Sequence, residues 1–262
     1  MPEHSSFSLH GKVVVQCGGT GLLGRALVAA LGAAGATLVV ASRDQAKIET
    51  ALAPGRAAGQ LLHAESVDIT NEASVDGLRD RIIAAHGRID GMVFNAVSRP
   101  MRSEQAPLAA WQESMAVNAT GFFLTLRTFA DAMAVQPAGG SIVNIASMQG
   151  MIGCNPWLYE GTAMGTVPDY FFHKGGMINL TRHYASVYGQ RKVRVNVVSP
   201  GGIYNPEKPQ ADAFLERYGK MTMLGRMADA PEIGGAVAFL LSDAASYITG
   251  VNLPVDGGYT AK

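Results

Sequence analysis

Cysteine is scarce in this chain: Cys17 and Cys154 are the only two, far apart, and Cys17 abuts a glycine-rich turn. Such a pair supports neither a disulfide framework nor a metal cluster, so both are expected as free thiols and no metal site is expected. An excess of one charge is lacking too, since 21 Lys plus Arg balance 21 Asp plus Glu. Without an overall field toward nucleic acid or an anionic membrane, a small-molecule partner is favoured. No apolar run reaches the length needed to cross a bilayer, and the polar segment Met1–His10 lacks the basic, apolar and small-residue order of a signal peptide. The expected location is cytoplasmic.

What is present is apolar material: 48% of 262 residues are hydrophobic and only 16% are charged, enough for one large core and a single domain over residues 1–262. Val13–Gln16 reads as a strand, Gly18–Gly24 as a glycine turn, and Arg25–Ala34 as a helix closed by Gly35. Further strands are predicted at Thr37–Ala41, Leu61–Val67, Gly91–Phe94, Ser141–Ile145, Arg194–Val198 and Asn252–Val255. Helices are predicted at Ala46–Ala53, Ser74–His86, Leu108–Ala134 with a bend near Gly121, Pro168–Tyr188 and Pro231–Leu241. Strands alternating with helices of this length need right-handed crossovers, which gives an α/β fold: a doubly wound parallel sheet of Rossmann type. Tyr204–Gly225, with Pro206 and Pro209, resists assignment to the sheet and reads either as a lid or as a surface excursion.

Gly18, Gly21 and Gly24 recur directly after the first strand and before a helix, the context in which such spacing makes a dinucleotide site. Glycines there permit a tight turn and bring backbone N–H groups to the pyrophosphate, at the positive end of the helix. At the end of the second strand, where an NAD-preferring protein usually carries an acidic residue, stand Ser42 and Arg43. A guanidinium there clamps a 2′-phosphate, so NADP(H) is favoured over NAD(H); Asp44 weakens the inference because its carboxylate can compete for Arg43.

Tyr170 and Lys174 lie four positions apart on a predicted helix, hence on one face. Upstream, Thr166-Val167-Pro168-Asp169 has the form of a capping box. A free tyrosine, with a pKa of about 10, is mostly protonated at neutral pH, and a nearby ammonium favours its phenolate. Alone the pair is a weak signal, since a Tyr and a Lys on one helix face are commonly just solvated.

The order of Gly18-Gly19-Thr20-Gly21-Leu22-Leu23-Gly24, Asn95-Ala96, Asn118, Ser147, Tyr170-x-x-x-Lys174, Pro200-Gly201, and Ile248-Thr249-Gly250 through Asp256-Gly257-Gly258 resembles the short-chain dehydrogenase/reductase family, single-domain branch, over almost the whole chain. The resemblance implies hydride transfer between NAD(P) and a ketone or secondary alcohol, with Asn118, Ser147, Tyr170 and Lys174 as the catalytic set. Ser147 would bond the substrate oxygen and Tyr170 would exchange its proton. Lys174 would bind the nicotinamide ribose, and Asn118 would bend its helix and hold a water in a proton relay. Cofactor contacts are implied for Gly18, Thr20, Gly21, Leu22, Leu23, Ser42, Arg43, Asp68, Ile69, Asn95, Ala96, Tyr170, Lys174, Pro200, Gly201 and Ile203. A homotetramer is implied as well, with the Asp256–Lys262 tail reaching a neighbouring subunit; Gly175 and Gly176 permit close helix packing but fit cofactor or sheet contacts equally well.

The chain departs from the family pattern in its glycine spacing, at Cys17 and at Val97. The interval from Ser147 to Tyr170 spans 23 positions. That is roughly ten more than the family commonly uses, and because both ends are pinned at the reaction centre, Gly153–Met164 is expected to loop out at the substrate mouth. The segment carries Asn155, Trp157, Tyr159, Glu160 and Thr162, able to stack on a ring and bond hydroxyls; Asn155, Tyr159 and Glu160 are the candidate substrate contacts. A polar, carbohydrate-like substrate is inferred, although a loop serving oligomer contacts fits nearly as well. The insertion and Pro200–Asn205 are similar to bacterial short-chain reductases of flagellin glycan and nonulosonic acid pathways. Competing readings are a 3-oxoacyl thioester reductase, a catalytically silent nucleotide-binding scaffold, and an epimerase or dehydratase that retains its nicotinamide.

Overall fold

A computed structural model describes residues 5–262, so Met1–His4, part of the polar N-terminal segment, lies outside the described residues. Seven strands form one parallel sheet: β1 (Val13–Cys17), β2 (Thr37–Ser42), β3 (Leu62–Ser66), β4 (Gly91–Phe94), β5 (Gly140–Ile145), β6 (Val193–Pro200) and β7 (Asn252–Val255), in the spatial order β3-β2-β1-β4-β5-β6-β7. Every residue of β1 and β4 is buried, as strands covered on both faces require. The helices are α1 (Leu22–Ala33), α2 (Gln45–Ala57), α3 (Glu72–His86), α4 (Leu108–Met115), α5 (Phe122–Ala134), α6 (Pro168–Tyr188), α7 (Asp212–Met221) and α8 (Gly234–Leu241).

Two apolar layers flank the sheet. Val75, Leu78 and Ile82 of α3, Phe129 of α5 and Met177 of α6 share one, and Leu27 and Leu31 of α1, Ile48 of α2 and Val237 of α8 share the other. The chain winds outward from β1 through β2 to β3 and then returns to place β4 against the other side of β1. That reversal opens a crevice at the carboxyl ends of β1 and β4, where doubly wound sheets bind ligands.

Several local expectations are revised. α1 starts at Leu22 rather than Arg25, so Leu22, Leu23 and Gly24 belong to its first turn. The interruption expected near Gly121 is present as a π-helical turn, Ala116–Gly121, that carries Asn118. The capping box at Thr166–Asp169 does not form: Val167 caps α6 without a side-chain bond, while the Asp169 carboxylate is buried and accepts from Ser114 Oγ. Tyr204–Gly225 contains α7, whose Phe214 and Tyr218 form a small core with Met148, Leu158, Met227 and Tyr259. It is a packed cap, not a bare surface excursion. Within the chain, Asp256 of the C-terminal tail accepts from the backbone N–H groups of Gly258 and Thr260, and Lys262 Nζ donates to the Lys220 carbonyl. Cys17 and Cys154 are both free, no His/Cys/Asp/Glu cluster among the described residues suits a metal, and no described helix is long and apolar enough to cross a membrane.

Candidate active site

After β1 the chain turns at Gly18, whose φ of +92° suits glycine, and a Cβ there would fall 2.6 Å from the Ala96 nitrogen. A Cβ on Gly24 would stand 2.6 Å from the Gly18 carbonyl oxygen, so glycine is what lets the first turn of α1 rest on the loop before it. Two side-chain amides hold this loop from within. Gln16 Nε2, fully buried, donates to the Gly24 carbonyl at 2.9 Å, and Asn95 Nδ2 donates to the Gly18 carbonyl at 2.7 Å. α1 has no side-chain cap, and a Cβ on Gly21 would meet open space. Uncapped N–H groups at the positive end of a helix, beside an open glycine, fit the pyrophosphate of a dinucleotide.

The cleft beside this turn has two lobes that share Gly21, Asn95 and Val97. The smaller, about 390 Å³, is lined by Gly18, Thr20, Ser42, Arg43, Asp68, Ile69 and Ala96, all among the residues expected to contact the cofactor. Asp44 does not compete for Arg43: its carboxylate accepts from the Lys47 backbone N–H at 3.1 Å and pairs with Lys47 Nζ at 3.0 Å. Lys47, in the first turn of α2, lines the lobe as well, paired with Asp44, and Arg43 stands just beyond the end of β2. Asp68 is engaged by Thr70, whose N–H and hydroxyl both donate to it and hold its carboxyl below the usual range.

The larger lobe, about 560 Å³, brings together Leu22, Leu23, Ser147, Tyr170, Lys174, Pro200, Gly201 and Ile203. Ser147 ends the β5 connection and caps a short 3₁₀ turn, Met148–Gly150, its Oγ accepting from the Gln149 N–H at 3.2 Å. That turn lies directly on α6, because a Cβ on Gly150 would be 2.7 Å from the Lys174 carbonyl. Gly150, rather than Gly175 or Gly176, is therefore the glycine that lets Ser147 approach the Tyr170–Lys174 face; at Gly176 a Cβ would meet nothing. Lys174 is buried and its Nζ donates to the Ile145 carbonyl at 2.6 Å. Burial, helped by the charge of Arg99, pushes its pKa down to about 7. The Lys174 ammonium stands 5.7 Å from the Tyr170 ring centroid, and the Arg99 guanidinium covers the same ring at 4.7 Å.

Asn118 lines neither lobe. Its Nδ2 donates to the Ser98 carbonyl at 2.7 Å and to Ser114 Oγ at 2.9 Å, while its Oδ1 accepts from the Ser98 N–H at 2.9 Å. The side chain thus pins the loop after β4 to the π-helical turn. His173, beside Tyr170 at 5.3 Å between rings, is buried, and burial with the charges of Lys174 and Arg99 pushes it down to about 3, so it is neutral near neutral pH.

The insertion divides. Asn155 and Tyr159 line the larger lobe, with Tyr159 accepting from Gln149 Nε2 at 3.3 Å and packing on Phe214 at 5.4 Å between rings. Glu160 stands outside the lining, exposed, its carbonyl taken by Arg217. Trp157 also lies outside, beneath the Arg217 guanidinium at 5.8 Å, and the Thr162 hydroxyl donates to the Tyr159 carbonyl. Sequence reasoning missed Gln16, Arg99, Gln149, Tyr218 and Tyr259. Only Gln16 carried a signal, as a lone polar residue in an apolar strand; Arg99 comes from a loop, Gln149 and Tyr259 from short 3₁₀ turns, and Tyr218 from α7, which lay in a segment left unassigned to the sheet.

Comparisons with known proteins agree with this architecture. The family described as Enoyl-(Acyl carrier protein) reductase matches residues 21–260. A 2,5-dichloro-2,5-cyclohexadiene-1,4-diol dehydrogenase of Sphingobium indicum is 35% identical, covering 97% of this chain and 98% of its own. A D-threitol dehydrogenase of Mycolicibacterium smegmatis is 32% identical, covering 98% and 95% respectively. Among solved structures, a gluconate 5-dehydrogenase from Burkholderia cenocepacia J2315, in complex with NADP and tartrate, superposes with a TM-score of 0.87 at 27% identity, covering 98% of each chain. None of these relatives is named for a glycan pathway, so that finer resemblance gains no support from them. A glycine-built crevice at the switch of a parallel sheet, with kinship of this extent, shows that the chain belongs to the short-chain dehydrogenase/reductase family of oxidoreductases, which act on CH–OH groups with a nicotinamide cofactor.

Proposed function

We propose that the protein is an NADP(H)-preferring dehydrogenase/reductase of polyhydroxylated compounds, with Tyr170 as its proton-exchanging group. The observation that carries this reading is the convergence of Ser147, Tyr170 and Lys174 on the lobe that continues into the glycine turn. When bound, the nicotinamide supplies or accepts the hydride. Reduction of a ketone leaves negative charge on its oxygen, which a Ser147 hydroxyl stabilises and Tyr170 protonates; oxidation runs the same transfers backwards. Lys174 and Arg99, both beside the Tyr170 ring, offset that charge. Asn118 acts as a positioning residue through its hold on Ser98 and Ser114.

Preference for NADP(H) is supported by Arg43 just beyond the end of β2 and by the engagement of Asp44 with Lys47, which keeps that carboxylate from Arg43. A polyhydroxylated substrate is supported by the amides of Gln149, Asn155, Asn205 and Gln210 and the hydroxyl of Tyr159 around the larger lobe, and by relatives named for diols, threitol and gluconate. A cytoplasmic homotetramer fits the exposed apolar side chains Leu108 on α4, Phe123 on α5, and Phe172 and Val187 on α6. The test is a screen of polyols, ketoses, sugar acids and acyl thioesters for turnover of added NADP⁺ or NADPH. Turnover of hydroxylated compounds is expected; activity confined to thioesters overturns the substrate reading, and no consumption of cofactor overturns the oxidoreductase reading.

A further inference from the structure

The lining of the larger lobe contains Arg99 and Lys174 but not one Asp or Glu. Its other titratable side chains are Cys154, Tyr159, Tyr170, Tyr218 and Tyr259; burial pushes Tyr159, Tyr218 and Tyr259 up, Tyr218 to about 12. Among the described residues no acidic side chain forms an ion pair with Arg99, a property it shares with Arg43, Arg102, Arg182, Arg191, Arg194 and Arg217; of these only Arg99 lines the larger lobe. Arg99 is exposed, but it lies next to Ser98, which Asn118 fixes, and its guanidinium carbon sits over the Tyr170 ring at 4.7 Å from the centroid. A guanidinium over an aromatic ring, with no carboxylate partner, has N–H groups to offer, and its fork matches the two oxygens of a carboxylate.

We propose that Arg99 is the anion-recognition residue of this lobe, and that the substrate is a short hydroxy acid, or the corresponding oxo acid, whose carboxylate pairs with Arg99 while its carbinol meets Tyr170. This rests on the oxidoreductase reading and narrows its substrate class. Because the anion site and the proton-exchanging phenol share one aromatic ring, the reacting carbon lies close to the carboxylate along the chain, which excludes a long acid bearing its charge at the far end. The balance is simple. In oxidation the carbinol C–H bond breaks and its electron pair leaves with the hydride to NADP⁺, the O–H proton passes to the deprotonated Tyr170 oxygen while its electron pair forms the second C–O bond, and the carboxylate is retained. Gln149, Asn155 and Tyr159 are left to accept and donate toward the remaining hydroxyls.

The experiment compares tartrate and gluconate with the neutral polyols threitol and sorbitol, and with sorbitol 6-phosphate, in the full-length enzyme and in Arg99→Met and Arg99→Lys. A charge-assisted, bidentate contact predicts kcat/KM for the acids about 10- to 100-fold above the neutral compounds. Arg99→Met should collapse that ratio toward unity, mainly through KM, and Arg99→Lys should restore part of it, as a point charge without the fork. Equal use of acids and neutral polyols overturns the proposal and leaves the oxidoreductase reading intact; preference for the phosphate overturns the carboxylate assignment. A second measurement needs no turnover: titrating tartrate into the enzyme–NADPH complex, followed by cofactor fluorescence. Saturable binding weakened at least about tenfold in Arg99→Met, with NADPH affinity kept, supports the proposal. Loss of NADPH affinity to the same extent assigns Arg99 to the cofactor and overturns it.

Discussion

Around Gly18–Gly24 the cleft is walled by backbone, pressed so close that a single added Cβ would meet a main-chain atom at 2.6 Å, whereas the outer wall of the larger lobe is made of side chains from Met148–Tyr159, α7 and Tyr259. The first wall has one packing solution, set by the sheet and the helix start. The second is an assembly of rings and methionines, Met148, Leu158, Phe214, Tyr218, Met227 and Tyr259, that can be rebuilt with other side chains without touching the sheet. Function divides along the same line: the backbone wall serves a cofactor that is constant across a family, and the side-chain wall serves a substrate that is not.

The largest effect that sharpens this contrast concerns Lys174, at the junction of the two walls. Its folded pKa of about 7 lies below the ordinary 10.5. Below about pH 7 it is protonated folded and unfolded, and the fold bears the whole cost of burying the charge. Between the two values the unfolded chain keeps a proton that the folded chain has released, so stability rises with pH across that window. Lys174→Met removes this dependence. Its stability advantage over the parent is expected to be largest near pH 6, on the order of 3 kcal/mol, and to shrink steadily toward pH 10, as read from urea midpoints. A pH-independent difference would mean that Lys174 is solvated.

Next comes a pair of substitutions within the backbone wall. Gly24→Ala places a methyl against the Gly18 carbonyl and should cost about 1–3 kcal/mol of stability. Gly21→Ala meets open space, so its thermal midpoint should stay close to that of the parent while NADPH affinity falls, because the methyl occupies the room meant for phosphate. Equal destabilisation by both would break the distinction between a packed and an open glycine.

Arg43→Ala probes the smaller lobe. Loss of one charge-assisted clamp should raise KM for NADPH about tenfold more than KM for NADH; equal changes would remove the basis for NADP(H) preference. The smallest effect is expected from Arg217→Ala, which frees the insertion from α7 by deleting bonds to the Trp157 and Glu160 carbonyls. Exposed tethers of this kind are worth little, so a rise of about two- to threefold in substrate KM is expected, with cofactor KM unchanged.

How far the sequence was readable follows the same division. The strands, the turn at Gly18, the bend near Gly121 and the spacing of Tyr170 and Lys174 are local patterns, and the sheet order follows from right-handed crossovers between them. The capping box at Thr166–Asp169 failed because a buried hydroxyl on α4, Ser114, captures Asp169; a tertiary contact overrode a local motif. Glu160 and Trp157 were legible as members of an insertion but not as facing away from the lobe, since that depends on Arg217, sixty residues from Trp157 along the chain. Arg99 left no mark at all, because its importance lies in what surrounds it.

The central claim is that the Tyr170 oxygen exchanges the proton at a carbon beside the glycine-built crevice, and replacing that one oxygen addresses it directly. Tyr170→Phe should bind NADPH as the parent does, by fluorescence titration, while kcat falls by about 10²- to 10⁴-fold on any substrate found. A Phe variant that turns over at the parental rate would contradict the account.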